Sequence, residues 1–124
     1  MSELPLSGLR ILLMEDEALI ALDVEQLCRD SGAADVIVVR DLEQMRNADD
    51  QAYHAAILDV MLSGTPTMDF ARTLSDQGVP FVFATGYADN ADFFSDFPGT
   101  PVIGKPYVGA ELIRALAGAI ARKN

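Results

Sequence analysis

The chain has 124 residues, half of them apolar, and carries a formal net charge of −10 at neutral pH. This length and apolar content suffice for one hydrophobic core, so we expect a single domain over residues 1–124 with its core between about 9 and 122. The excess of negative charge repels phosphate backbones and anionic lipid headgroups. Direct binding to nucleic acid or to a membrane surface is therefore disfavoured.

The chain contains one cysteine, Cys28. A single thiol excludes an internal disulfide framework and a cluster of thiolate metal ligands. No stretch approaches the roughly 20 apolar residues of a membrane span, and the N-terminus lacks a basic leader followed by a long apolar run. We therefore expect a free-standing domain in a reducing, cytoplasmic setting.

Apolar runs of strand length alternate with longer stretches of helical period, which predicts a parallel sheet covered by helices in three α/β/α layers. Five strands and about five helices result. In chain order we predict a strand over 9–14, a helix over 18–29, a strand over 36–39, a weaker acidic helix over 42–48, a strand over 55–59, a helix over 68–74, a strand over 79–84, a short helix within 88–98, a strand over 101–104 and a last helix over 111–119.

Charged and hydroxyl side chains stand at the ends of four predicted strands. Because the carboxyl ends of parallel strands meet at one edge of a sheet, we expect these side chains to converge. Three carboxylates in one pocket raise one another's pKa, so a positive charge must lie among them. The residues are Glu15 and Asp16 after the first strand, Asp59 at the end of the third, Thr85 after the fourth and Lys105 after the fifth.

This set of residues suits phosphoryl transfer. Hard carboxylate oxygens favour Mg²⁺, and Lys105 is a second, movable positive charge for a phosphoryl oxygen. Thr85 can donate a hydrogen bond to another such oxygen. The carboxylate of Asp59 can attack phosphorus to form an aspartyl phosphate. Because the chain has no P-loop motif, the phosphoryl donor should be external.

In this order and placement the residues resemble the receiver domains of two-component response regulators, the CheY-like family, from Leu9 to about Arg122. The resemblance implies a flavodoxin-like, doubly wound five-stranded parallel sheet of strand order 2-1-3-4-5. It also implies that Asp59 is the phosphoacceptor and that Thr85 and Lys105 move toward the new phosphoryl oxygens. The implied Mg²⁺ or Mn²⁺ site consists of Asp16 and Asp59 as direct ligands, Glu15 acting mostly through water, and the backbone carbonyl of Met61.

Residues 80–87, Pro-Phe-Val-Phe-Ala-Thr-Gly-Tyr, further resemble a subclass of single-domain receivers named for a Phe-Ala-Thr-Gly motif, the FATGUY type. That subclass is associated with alphaproteobacterial signalling and with sensor kinases of the HWE and related types. The resemblance implies a sensor histidine kinase or a phosphotransfer protein as the phosphoryl donor. It also implies output through a downstream protein target, or a role as a phosphate sink.

The sequence departs from the family pattern at two places. Val102 stands where many receivers have an aromatic switch residue, while Tyr107 follows a Lys-Pro step that the resemblance makes cis. The segment after Asp59 lacks the common proline following Met61, which predicts a looser or differently shaped loop. Tyr87 and Tyr107 are candidates for a switch, a partner contact or partial core.

Other side chains have a structural interpretation or leave two interpretations open. Cys28 is predicted to lie in the core, and His54 to be structural. Phe93, Phe94 and Phe97 could fill the core or form a partner-binding patch.

Two other functions compete with the receiver prediction. A phosphohydrolase with an aspartate nucleophile, of the haloacid-dehalogenase type, requires a second acid two residues after the nucleophile, and that position is Met61. A pseudo-receiver that binds partners without phosphorylation is disfavoured by the complete set of acceptor, acidic pair, threonine and lysine. We expect a switch that catalyses its own phosphorylation and dephosphorylation, and not a metabolic enzyme.

Overall fold

The structure is a computed structural model that describes residues 4–41, 43–44, 52–86, 95–105 and 109–123. Glu43 and Gln44 are helical. The other described elements, in chain order, are β1 (Arg10–Met14), α1 (Ala18–Asp30), β2 (Asp35–Val39), β3 (Ala55–Asp59), β4 (Met61–Leu62), β5 (Thr65–Pro66), α2 (Met68–Asp76), β6 (Phe81–Thr85), β7 (Val102–Gly104) and α3 (Gly109–Lys123).

Five parallel strands form the main sheet in the order β2-β1-β3-β6-β7. Because β4 and β5 form a separate two-stranded sheet, the main sheet has the predicted order 2-1-3-4-5 when its own strands are numbered in chain order. Every residue of β3 and β6 is buried, which is why these two strands are continuous apolar runs. The direction of strand addition reverses between β1 and β3, where a cleft opens at the carboxyl edge.

Helices cover both faces of the sheet. Helices α1 and α3 supply Val24, Cys28 and Leu112 to one apolar cluster, and α2 supplies Phe70 and Leu74 to the other. Cys28 is fully buried, so its predicted place in the core is confirmed. This arrangement is the predicted three-layer architecture. None of the helices in the described ranges combines the length and the apolar character that crossing a bilayer requires.

The predicted strands and the three main helices are present, with boundaries that differ by a few residues. The strand predicted over 79–84 runs from Phe81 to Thr85, and the last helix extends in both directions, from Gly109 to Lys123. The helices predicted over 42–48 and 88–98 lie largely outside the described residues, as does the peptide bond before Pro106. His54 accepts a hydrogen bond from the backbone amide of Arg10 through Nδ1 (2.8 Å), a structural contact as predicted.

The loop after Asp59 is predicted to be looser or differently shaped, and the structure contains a β-hairpin there. Strands β4 and β5 pair antiparallel, with Leu62 opposite Thr65 across a two-residue turn. The turn residues Ser63 and Gly64 have φ of 51° and 81°, and positive φ at both positions is what a type I′ turn requires. The prediction missed this hairpin because each strand is only two residues long.

Candidate functional site

The carboxyl ends of four strands bring the predicted residues to one open pocket with a volume of about 490 Å³. Glu15 lies beside this pocket and reaches into it through Lys105. Tyr87 and Tyr107 lie outside the described residues, so their roles stay predictions. The pocket is lined by Asp16, Glu17, Asp59, Met61, Thr85, Gly86 and Lys105.

Lys105 is the positive charge that three neighbouring carboxylates require. Its Nζ donates to Glu15 Oε1 at 2.6 Å and to Asp59 Oδ2 at 2.9 Å. Its backbone amide donates to the carbonyl of Thr85 (2.8 Å), which fixes the residue at the end of β7. Burial acts to lower the pKa of Lys105, but the hydrogen bonds and charges of Glu15 and Asp59 outweigh it and raise the pKa. Lys105 is therefore a firmly charged bridge between β1 and β3.

Glu15 is 2% exposed and has both carboxylate oxygens engaged by protein donors. Oε1 accepts from Lys105, and Oε2 accepts from the backbone amide of Glu17 at 3.1 Å. Burial raises the pKa of Glu15 and outweighs the lowering effect of the Lys105 hydrogen bond. Because both oxygens are occupied, Glu15 would reach a cation through water, the role that the resemblance implies.

Asp59 ends the central strand β3 and is held at both its side chain and its backbone. Oδ2 accepts from Lys105, while Oδ1 accepts a longer hydrogen bond of 3.3 Å from the amide of Met61. The backbone carbonyl accepts a 2.6 Å hydrogen bond from the hydroxyl of buried Thr67. Thr67 occupies the N-cap position of α2, but its side chain does not cap the helix. Sequence reasoning missed this residue, since a threonine before a helix indicates a cap.

Asp16 is fixed by two segments that are distant in sequence. Its Oδ2 accepts a 2.7 Å hydrogen bond from the backbone amide of Ser63, at the tip of the β4–β5 hairpin. Its backbone carbonyl accepts from the guanidinium of Arg40 at 3.3 Å. Oδ1 of Asp16 accepts no hydrogen bond from the residues that the structure describes, so it remains for a cation. Ser63 and Arg40 were not among the predicted site residues, although Ser-Gly is a recognisable turn signal.

The oxygen donors at this edge fit a hard divalent cation. Carboxylate oxygens of Glu15, Asp16 and Glu17 lie within 4.8 Å of one another, and Asp59 and Met61 line the same pocket. Few protein ligands around an open pocket suit Mg²⁺, which keeps several water ligands. Glu17 was not among the predicted site residues.

The remaining predicted positions within the described residues, Thr85, Phe97 and Val102, lie on β6 or beside it. Thr85 is 1% exposed at the carboxyl end of this strand. Phe97 is buried and packs edge-to-face against Phe81 and Phe83, with ring centroids 5.8 and 5.5 Å apart. Val102 packs partly buried against the same apolar cluster. Phe97 thus belongs to the core, whereas Phe93 and Phe94 lie outside the described residues.

No known protein-family profile matches the chain, and no curated protein matches its sequence. Several solved structures match its fold. The receiver domain of a Pseudomonas aeruginosa sensor histidine kinase, with magnesium in its active-site cleft, is 28% identical with a TM-score of 0.76, covering 93% of this chain and 99% of that one. A Sinorhizobium medicae response regulator receiver protein is 24% identical with a TM-score of 0.77, covering 94% and 98%. The receiver domain of Erythrobacter litoralis PhyR is 24% identical with a TM-score of 0.77, covering 95% and 94%.

The chain therefore has the fold of response regulator receiver domains, as the sequence resemblance predicted. The match covers nearly the whole length of this chain and of these structures. The narrower FATGUY subclass stays a prediction from residues 80–87.

Proposed function

We propose that this protein is a response regulator receiver of a two-component phosphorelay and that Asp59 accepts a phosphoryl group from an external donor. The observation that carries the proposal is the bridge from Lys105 to Glu15 and Asp59 at the carboxyl edge of the sheet. This bridge places the carboxylate of Asp59, the proposed nucleophile, beside a positive charge. Buried Thr85 supplies a hydroxyl from the neighbouring strand.

In the proposed reaction Oδ1 of Asp59 attacks the phosphorus of an acyl phosphate or a phosphohistidine. Oδ1 is the more weakly held oxygen, since its hydrogen bond to Met61 is 3.3 Å and Oδ2 is 2.9 Å from Lys105. An O–P bond forms, and the bond from phosphorus to the donor's oxygen or nitrogen breaks, with its electron pair passing to the leaving group. Later attack of water on phosphorus breaks the O–P bond, releases phosphate and restores the carboxylate.

The neighbouring residues stabilise charge during this transfer. The ammonium of Lys105 contacts one phosphoryl oxygen, where negative charge develops, and the hydroxyl of Thr85 donates a hydrogen bond to another. Mg²⁺ held by Asp16, Asp59 and the Met61 carbonyl would neutralise charge on the transferring group. Phosphorylation then shifts the equilibrium between two conformations of the surface around β6, β7 and α3, because Thr85 and Lys105 change partners.

We propose a histidine kinase or a phosphotransfer protein in a cytoplasmic setting as the donor. In support, the 28%-identical structure is the receiver domain of a sensor histidine kinase. The net charge of −10 favours a protein target over nucleic acid or a membrane as the recipient of the output. A kinase of the HWE type remains a prediction that follows from the motif alone.

The test is incubation with MgCl₂ and acetyl phosphate, followed by intact mass measurement. Wild-type protein should gain one phosphoryl group, and Asp59→Asn should gain none. Asp69→Asn is the matched control, because Asp69 is an exposed carboxylate on α2 that pairs with Arg72. It should be phosphorylated like the wild type. An equal mass gain in Asp59→Asn and Asp69→Asn would refute the proposal.

We also propose that the protein acts as a switch and not as a metabolic enzyme. The position two residues after Asp59, where a phosphohydrolase needs a second acid, holds Met61. Generic phosphomonoesters should therefore not be hydrolysed in steady state. Turnover well beyond one equivalent per protein molecule would contradict this.

A further inference from the structure

The β4–β5 hairpin connects the acceptor to the acidic pair. At its base, Thr67 donates its hydroxyl to the carbonyl of Asp59 and its amide to the carbonyl of Val60. At its tip, the amide of Ser63 donates to Oδ2 of Asp16, 47 residues away in sequence. The hairpin therefore spans from the end of β3 to the loop after β1.

Ser63 holds an unusual backbone conformation at this tip. Within the described ranges it is the one non-glycine residue with positive φ, at 51°. Left-handed φ costs an ordinary L-residue about 1–2 kcal/mol, so it persists where the surroundings impose it. Two contacts impose it here, because the Ser63 hydroxyl donates to the carbonyl of Arg40 (3.0 Å) and its amide donates to Asp16 (2.7 Å).

We propose that Ser63 is a positioning residue, whose backbone amide orients the carboxylate of Asp16 for cation binding. Because the amide engages Oδ2, Oδ1 is left to bind a cation in the pocket that Asp16 lines together with Asp59 and Met61. Donors behind a metal ligand fix its orientation, and losing one commonly weakens metal affinity tenfold or more. The inference rests on the metal site of the proposed function.

The test is calorimetric titration of the unphosphorylated protein with MgCl₂, which needs no phosphoryl transfer. Gly64→Val opposes the turn, because φ at Gly64 is 81° and a β-branched residue disfavours positive φ. Gly99→Val is the matched control: φ is 86°, and an added Cβ meets no atom within 4 Å at either glycine. We expect Gly64→Val to weaken Mg²⁺ affinity by about tenfold and Gly99→Val to leave it near wild type.

Ser63→Gly is the conservative variant. Glycine keeps the backbone amide and adopts positive φ readily, so Mg²⁺ affinity should stay within about twofold of wild type. Equal weakening in Gly64→Val and Gly99→Val would show general destabilisation and overturn the positioning role. Unchanged affinity in Gly64→Val would overturn it as well. Failure of the wild type to bind Mg²⁺ would instead refute the proposed metal site itself.

A measurement on the amide keeps the inference testable if Gly64→Val does not fold. The Ser63 amide should exchange its hydrogen about tenfold faster in Asp16→Ala than in wild type, because the mutation removes its acceptor. Identical exchange in both proteins would show that the amide does not bind Asp16 in solution.

Discussion

At the scale of single residues, the ammonium of Lys105 governs the electrostatics of the site. It contacts Glu15 and Asp59, whose side chains are only 3% and 12% exposed. Two buried carboxylates without a counter-charge repel each other and lose hydration at the same time. The balance is visible in the raised pKa of both Lys105 and Glu15, since burial dominates at Glu15 and the two acids dominate at Lys105.

Replacing Lys105 with methionine should therefore destabilise the protein. We expect the free energy of unfolding at pH 7 to fall by about 2 kcal/mol, less than for a fully enclosed pair because the pocket is open to water. Urea unfolding measures the change. The double variant Lys105→Met/Glu15→Gln should recover much of this loss, because only one of the two carboxylates that Lys105 contacted then remains. A double variant no more stable than the single one would contradict the prediction.

Thr67 is predicted to matter through its hydroxyl. Thr67→Val keeps the shape but leaves the buried Asp59 carbonyl without its 2.6 Å donor, which should cost about 1–3 kcal/mol of stability. It should also slow phosphorylation by acetyl phosphate, since the acceptor's backbone is less firmly held. Thr73→Val makes the same change where the hydroxyl donates to the Asp69 carbonyl at an exposed site. The stability of Thr73→Val should stay within about 0.5 kcal/mol of the wild type. Equal losses of stability in the two variants would refute the role assigned to Thr67.

At the scale of elements, α3 contains two glycines with different surroundings. A Cβ at Gly118 would meet no atom within 4 Å, whereas one at Gly109 would lie 3.0 Å from Cδ2 of Leu27 on α1. Gly109 thus allows the start of α3 to approach α1 closely. Gly118 has no comparable packing reason.

This difference predicts different changes in stability for two similar substitutions. Gly118→Ala should stabilise the protein by about 0.5–1 kcal/mol, because alanine is the better helix former. Gly109→Ala should gain less or lose stability, since Leu27 must move and the position lies at the helix start. Thermal unfolding of the two variants decides the matter. An equal gain of stability in both variants would show that Leu27 can move at the α1–α3 contact without loss of free energy.

The elements also show which signals in the sequence are reliable. Strands β3 and β6 were predicted within two residues, because a buried parallel strand is a continuous apolar run. The β4–β5 hairpin was missed, because two-residue strands carry no periodicity and Ser63 is an uncommon residue at positive φ. Its pairing depends on contacts with Asp16 and Arg40 from other loops.

At the scale of the whole molecule, Cys28 reports on global unfolding. Its thiol is fully buried between α1 and the sheet, and burial raises its pKa from 9.0 to about 12. The folded state thus retains a proton that the unfolded state loses above pH 9. The resulting stability is complete below pH 9 and is lost as pH rises from 9 toward 12.

Cys28→Ala should lack this part of the pH dependence. Between pH 9 and 11 the wild type should lose up to about 1.4 kcal/mol per pH unit more than the variant, measured by urea unfolding. Iodoacetamide at pH 8 should also modify Cys28 only in unfolded protein. Parallel stability profiles for the two proteins, or rapid modification of the native thiol, would contradict the burial of Cys28.

The sequence by itself determined the layered α/β class and the residues at the strand ends. Both follow from local information, namely apolar periodicity and the rule that parallel strands present their carboxyl ends at one edge. Glu15, Asp16, Asp59, Thr85 and Lys105 could therefore be named without coordinates. The strand order came from the resemblance to receiver domains and is confirmed by the sheet.

Only the tertiary structure decided how these residues are held. Lys105 lies 90 residues from Glu15 and 46 from Asp59, so the division of its hydrogen bonds depends on the register of β1, β3 and β7. The use of Thr67 on a carbonyl, and of the Ser63 amide on Asp16, likewise depends on how a short hairpin packs across two loops. Such contacts follow from the packed geometry of the chain, and a local pattern of residue types does not record them.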